Sequence, residues 1–139
     1  AAHLPAEVMG RVKFLDWIEQ ERLVEIYDQH GLFLFPSFFE GFGKVFLEAM
    51  SRGLIVVAAR NSAAKDVIDH DFNGLTVETG NAVAMVNAAD RVLGDLDLAI
   101  RLSQRALETA AMYTWDRYAA RCVEFYESLI ARRNPALGV

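Results

Sequence analysis

Hydrophobic and polar positions follow two different periods along the chain. Residues 32–35 and 54–58 are apolar at every position, as expected for strands of a parallel sheet that is covered on both faces. Shorter, mostly apolar segments at 12–15 and 75–77 fit two further strands. Pro36 would end the strand before it because proline cannot donate to a ladder. The pattern therefore predicts four short strands.

Between and after these strands, apolar residues recur at helical spacing. The spacing predicts helices over 19–29, from 42 or 43 to 52 and near 63–68, and three more after residue 80. Gly53 is expected to end the second helix in a left-handed conformation, and Thr114 to cap the last one. Alternating strands and helices predict an α/β fold with a doubly wound parallel sheet, followed by C-terminal helices. In the last helix, an apolar stripe is expected to pack on the domain with Cys122 as a small hydrophobic member: Tyr118, Cys122, Phe125 and Leu129.

Length and composition restrict the class of protein. The chain has 139 residues, of which 53% are hydrophobic and 24% charged, which fits one globular domain and excludes disorder. With 14 basic and 19 acidic residues and no basic run, the sequence predicts no nucleic-acid partner. The apolar runs are too short to span a membrane, and the first ten residues lack the pattern of a signal peptide. A single cysteine fits a reducing compartment, so a cytoplasmic location is expected.

The segment 36–44 carries the most distinctive chemistry. It leads from a predicted strand into a helix N-terminus, where backbone amides lack partners and the helix dipole is positive. Gly41 and Gly43 would let a phosphate approach these amides closely, and Lys44 would add a positive charge. The segment is not a complete G-x-G-x-x-G or P-loop pattern, so a turn that only packs the strand against its helix remains an alternative.

Two carboxylates flank this loop. Glu40 precedes the helix and Glu48 lies eight positions later. Glu40 is also compatible with a simple interaction with the helix dipole, and Glu48 with a solvated polar face and an ion pair to Lys44. Residue spacing alone leaves both alternatives open.

Other polar residues give weaker indications. Asp-x-Asp occurs at 69–71 and at 95–97, but the spacing is too common to indicate a metal site, and none is predicted. His3, His30 and His70 lie beside predicted turns or the terminus and are expected at the surface.

The stretch FPSFFEGFGKVFLEAMSRG resembles the signature of family 4 retaining glycosyltransferases of the GT-B fold. It contains the E-x7-E pair, a Phe-Gly between the two acids, Glu-Ala-Met and the following Gly53. Segments 12–15, 71–75 and 114–116 also resemble conserved parts of that family, so that the similarity extends over residues 11–130. The resemblance implies a Rossmann-like sheet and, for the whole of 1–139, a nucleotide-sugar (donor) binding domain that is truncated on its N-terminal side.

The same resemblance implies roles for individual residues. Glu40 would be the catalytic carboxylate beside the donor sugar, and Glu48 would bind the ribose hydroxyls. The base would lie against Trp17 and Ile18, although Asp16 stands where the family usually has glycine. No metal or other cofactor would be needed, because backbone amides would bind the diphosphate. These amides belong to the segment that begins at Gly41 and comprise those of Phe42, Gly43, Lys44 and Val45.

The intact enzyme implied by the resemblance has an N-terminal acceptor domain and two further βα units before this chain. It would move a sugar from a nucleotide diphosphate sugar to an acceptor hydroxyl with retention, and peripheral membrane association of that enzyme is compatible with the family. The fragment alone should be inactive. Its strand 32–35 would have an open edge, which is expected to pair with the 12–15 strand or with another molecule. A non-catalytic interaction module and a nucleotide-sugar epimerase on the same fold remain alternative functions.

Overall fold

The structure is a computed structural model that describes residues 4–133. Strands and helices alternate in its first part, and helices alone follow. In chain order the described elements are α1 (Ala6–Met9), α2 (Gln20–Asp28), β1 (Leu32–Phe35), α3 (Lys44–Ser51), β2 (Ile55–Ala59), α4 (Ser62–Val67), β3 (Leu75–Val77), α5 (Ala82–Gly94), α6 (Leu96–Ala110) and α7 (Trp115–Arg133).

The three strands form one parallel sheet in the order β1-β2-β3. Phe33 pairs with Val56, and Val57 pairs with Leu75. All residues of β2 are buried, whereas β1 and β3 are less covered, since β2 is the central strand. The predicted α/β fold with a parallel sheet is therefore confirmed for three of its four strands.

Side chains of β2 alternate between two hydrophobic clusters, one on each face of the sheet. Val56 and Ala58 join Phe46 and Met50 of α3, while Ile55 and Val57 face α5 and α6 on the other side. Burial of each large apolar side chain contributes about 1.5–3 kcal/mol. Helices on both faces confirm the doubly wound arrangement, and α3 is held firmly by its buried face.

The predicted strand at 12–15 is wrong. These residues belong to no helix or strand, and Phe14 and Leu15 are 58% and 46% exposed. A strand needs neighbours that accept and donate ladder hydrogen bonds, and the sheet in residues 4–133 offers none to this segment. Pairing between this segment and β1 is wrong for the same reason, because β1 pairs with β2 alone among the described strands.

Full cover of β1 is also an incorrect prediction. The strand is half-buried, and Leu34 is 45% exposed. Phe33 and Phe35 pack toward α2 and α3, but the described helices on the opposite face are centred on β2. An open edge of β1 is therefore part of this structure.

Helix α7 does not pack as its sequence pattern predicted. None of its residues, all of which the structure describes, is buried, and Cys122 is only half-buried. Phe125 and Leu129 are 59% and 42% exposed. No described element buries the apolar stripe, so the prediction that Cys122 packs in a core is wrong. No helix in residues 4–133 is both long enough and apolar enough to cross a membrane.

Candidate functional site

The loop between β1 and α3 lies at the carboxyl end of the sheet, where α/β proteins commonly bind ligands. Hydrogen bonds from two polar side chains fix the conformation of the first residues of this loop. The hydroxyl of Ser37 donates to the carbonyl of Phe39 at 2.8 Å. The side-chain amide of Asn61, which follows β2, donates to the carbonyl of Ser37 at 3.1 Å. The loop is therefore connected to the neighbouring strand–helix junction.

Helix α3 begins without a side-chain cap. Its N-cap, Gly43, has φ 74° and ψ 36° and has no side chain that can accept from the first turn. The structure records no hydrogen bond from the amides of Lys44 and Val45 to other described residues. By contrast, side-chain oxygens of Asn61, Asn81 and Asp95 cap the N-termini of α4, α5 and α6. The N-terminus of α3 can therefore bind an anion with its free amides.

The space around the two glycines of the loop differs. A Cβ on Gly43 would lie 2.6 and 2.8 Å from ring carbons of Phe46 and 3.1 Å from the Cβ of Ala63. A Cβ on Gly41 would meet no other described atom within 4 Å. Close packing explains why residue 43 is a glycine, in line with the alternative that the loop is a turn that packs the strand against its helix. Packing does not explain why residue 41 is a glycine.

Glu40 lies in the loop just before α3 and is half-buried. Its Oε1 accepts a hydrogen bond from the amide of Gly41 at 3.1 Å. This bond holds the carboxylate close to the backbone that leads into the helix N-terminus. Glu40 therefore lies beside the amides that could bind an anion.

Glu48 lies in the second turn of α3 and lines an open groove of about 490 Å³. Phe42 and Lys44 line the same groove. Lys44 and Glu48 do not form the ion pair that was one alternative for them, since the salt bridges of the described residues do not include it. Glu48 is half-buried rather than fully solvated. The groove has the size of a small-molecule site.

An aromatic wall faces Glu48 across this groove. It comes from the α6–α7 junction and comprises Tyr113, Trp115 and Tyr118, of which Trp115 and Tyr118 meet edge to face with ring centroids 6.0 Å apart. The neighbouring thiol of Cys122 raises the pKa of Tyr118. Sequence periodicity did not place these rings near α3, because the junction is distant along the chain and only the folded structure brings it there.

Helix α2 borders Glu48 on another side. Tyr27 is buried against Phe33, and burial raises the pKa of its hydroxyl, with a further contribution from the negative charge of Glu48. The next residue, Asp28, accepts two hydrogen bonds from Arg52 of 2.6 and 2.7 Å. This bidentate ion pair fixes the end of α2 against the end of α3. The helical spacing of Tyr27 indicates only a core residue, so its proximity to Glu48 is visible only in the fold.

Some predicted residues do not join this cluster. Trp17 is 86% exposed, Ile18 is half-buried, and neither lines the groove. His30 and His70 are exposed as predicted, while His3 lies outside the described residues.

The Asp-x-Asp segments have structural contacts of their own. Asp71 pairs with Arg91 at 2.6 Å, and Asp95 caps α6. In residues 4–133, no group of three or more histidine, cysteine or acidic side chains is arranged to hold a metal ion.

Comparison with known proteins defines the class of this domain. Residues 4–109 match the family described as glycosyl transferases group 1. This match covers most of the chain, and the chain belongs to that family. Its fold is that of the C-terminal domain of a GT-B glycosyltransferase, as the sequence resemblance implied.

Individual relatives show how much of a longer protein this chain represents. D-inositol 3-phosphate glycosyltransferase from Corynebacterium urealyticum is 36% identical over 141 residues, which cover 94% of this chain and 33% of the relative. Sucrose-phosphate synthase from Thermosynechococcus elongatus superposes with a TM-score of 0.79 at 30% identity, over 91% of this chain and 32% of that protein. The C-terminal domain of LpcC, a glycosyl transferase group 1 protein from Francisella tularensis, gives a TM-score of 0.66 at 25% identity, over 71% and 51% of the two chains. The chain spans about a third of the length of the curated relatives that it matches.

Proposed function

We propose that this chain is the donor-binding part of a family 4 retaining glycosyltransferase, which moves a sugar from a nucleotide diphosphate sugar to an acceptor hydroxyl. One observation carries the proposal. The uncapped N-terminus of α3 lies between two carboxylates, Glu40 and Glu48, and is approached through Gly41, beside which the described residues leave open space. Membership of the glycosyl transferases group 1 family supports the same chemistry.

The diphosphate of the donor binds at this N-terminus in our proposal. The amides of Phe42, Gly43, Lys44 and Val45 face its oxygens, and the positive end of the helix dipole stabilises negative charge there. Charge on the leaving group increases during transfer, so fixed donors lower the barrier by binding the transition state more strongly than the ground state. The ammonium group of Lys44 adds to this effect, and the proposal needs no metal ion.

The two carboxylates have separate tasks. Glu48 accepts hydrogen bonds from the ribose hydroxyls, for which an ionised carboxylate is a strong acceptor. Glu40 lies beside the sugar, where its charge orients hydroxyls and stabilises the oxocarbenium character of the transition state. We assign the base to Trp17 and Ile18, which lie outside the groove that Glu48 lines.

The acceptor site lies outside this chain in our proposal. Relatives of the chain are about three times as long, so the remainder of such a polypeptide supplies the acceptor domain and further groups that hold the diphosphate. The chain alone is then expected to bind the donor without transferring its sugar.

Titration with UDP, GDP and ADP, followed by calorimetry, tests the donor site. We expect at least one of them to bind and Glu48→Gln to weaken that binding about tenfold or more, since hydrogen bonds to a charged group contribute about 1.5–3 kcal/mol. Asp90→Asn, an exposed acid on α5, is the matched control and should bind as the wild type does.

Two results would contradict the proposal: no binding of any nucleoside diphosphate, or equal affinity in the Glu48 variant. For the complete polypeptide, product analysis without an acceptor separates transfer from epimerisation, because only an epimerase changes the sugar of the donor under that condition.

A further inference from the structure

Asn61 connects the start of α4 with the loop before α3 through one buried side chain. It follows β2, is 6% exposed and has both ends of its amide engaged. Its Oδ1 accepts from the amide of Ala64 at 3.1 Å and caps α4. Its Nδ2 donates to the carbonyl of Ser37 at 3.1 Å. The same side chain therefore starts a helix and holds the loop that contains Glu40.

The loop has little packing of its own. Phe38 and Phe39 are 75% and 77% exposed, although the ring of Phe38 lies close to Gly80, where an added Cβ would be 3.3 Å away. Ser37 also restrains the backbone next to Glu40, because its hydroxyl donates to the carbonyl of Phe39, the residue before Glu40. Hydrogen bonds at Ser37 are therefore among the contacts that fix this loop.

Capping alone does not require an asparagine at this position. Asn81 caps α5 with the same bond to the third residue, 2.9 Å to Ala84, and Asp95 caps α6 in the same way. For Asn81, the described residues provide no acceptor for the side-chain amide. The Nδ2 group of Asn61 is therefore the feature that separates it from an ordinary cap.

We propose that Asn61 is a positioning residue for Glu40, which it holds in place through the carbonyl of Ser37. This inference rests on the proposed function, because it concerns the role of Glu40 at the donor sugar. Glu48 lies on α3, which is fixed independently by the burial of Phe46 and Met50. Loss of the Asn61 bond should therefore displace Glu40 and leave binding of the nucleotide intact. Small displacements of a reacting group are known to reduce rates about a hundredfold.

The test compares Asn61→Ser with Asn81→Ser in the complete polypeptide. Serine is a good N-cap, so both variants keep their helices, but serine at 61 is too short to cap α4 and reach Ser37 together. We expect Asn61→Ser to lower kcat about tenfold or more with KM for the donor changed less than twofold, and Asn81→Ser to leave both constants unchanged. Asn61→Asp keeps the capping oxygen, removes the donor and should act like the serine variant.

Hydrogen exchange supplies a readout that does not depend on activity. Amides of residues 38–41 should exchange faster in both Asn61 variants than in wild type, with no change there in Asn81→Ser. Equal kcat values and equal exchange in Asn61→Ser and Asn81→Ser would overturn the inference. A wild-type polypeptide that binds no nucleoside diphosphate and transfers no sugar would instead overturn the proposed function, while faster exchange at 38–41 would still establish the structural link.

Discussion

Replacement of Gly43 by alanine is expected to destabilise the fold strongly. At φ 74° a residue with a Cβ is strained by about 1–2 kcal/mol. The new Cβ would lie 2.6 Å from the ring of Phe46, which is fully buried and in edge contact with Phe35, so the ring cannot move away freely. Overpacking of this kind costs about 1–3 kcal/mol. Restriction of the unfolded chain offsets about 0.4–1 kcal/mol, which leaves a loss of about 1–4.6 kcal/mol.

Gly41→Ala is the matched comparison, and its effects should be the reverse. The added methyl meets no described atom within 4 Å, so the free energy of unfolding should change by less than about 0.5 kcal/mol. The methyl would, however, point into space that we assign to the donor phosphates. Affinity for a nucleoside diphosphate should therefore fall although stability does not.

Urea unfolding followed by circular dichroism measures the stability of both variants. The expected loss in Gly43→Ala corresponds to a fall in melting temperature of about 3–17 °C. Calorimetric titration then measures the affinity of Gly41→Ala. If Gly43→Ala were as stable as wild type, the steric argument for α3 would be refuted; if Gly41→Ala bound nucleotides normally, close approach at that glycine would be refuted.

Three further predictions concern stability and association. Arg52 holds the pKa of Asp28 below its usual value. The free energy of unfolding of wild type should therefore exceed that of Asp28→Asn by its full amount above about pH 3.9, and this difference should disappear as the pH falls through the folded-state pKa of Asp28. Urea unfolding at each pH measures the difference. Asn73→Ala should lower the free energy of unfolding by about 2–4 kcal/mol, because the buried amide of Asn73 donates to Val67 and Thr109 and its oxygen accepts from the backbone; unchanged stability would contradict this. The open edge of β1 should associate with a second molecule, and Leu34→Lys should shift light-scattering masses toward the monomer; a monomeric wild type would refute the association.

Elements that depend on local sequence were predicted well. β1 has the predicted bounds, and α3 begins and ends within one or two residues of expectation. Gly53 ends this helix region with φ 79°, as its left-handed role required. These features follow from apolar runs, proline and glycine, whose conformational preferences act within a few residues.

Features that depend on distant partners were not predicted. The 12–15 segment has strand-like residues but no neighbouring strand, and α7 has an apolar stripe but no surface on which to pack. Periodicity describes which face of an element prefers to be buried, but it does not say whether a partner exists. Both incorrect predictions required a packing partner for the apolar residues among the described residues of the chain, and the structure has none there.

The candidate site was predicted in part for the same reason. The order of Glu40, Gly41, Gly43 and Glu48 around a helix start is a local property and is visible in the sequence. The aromatic wall at the α6–α7 junction and the bond from Asn61 to Ser37 depend on tertiary contacts between distant segments. Helical spacing gives no information about such contacts, so only the fold could reveal them.

Gly43, the N-cap of α3, affects both the stability of the fold and the proposed binding of the diphosphate. A serine or asparagine at residue 43 would normally strengthen a helix start, as Asn61 and Asn81 do for α4 and α5. Here its Cβ would clash with Phe46, and its oxygen would occupy amides that we assign to the diphosphate. Substitutions at Gly43 therefore combine a steric effect with a binding effect and cannot separate them. Gly41, whose replacement has no steric consequence among the described residues, is the position at which anion binding can be tested alone.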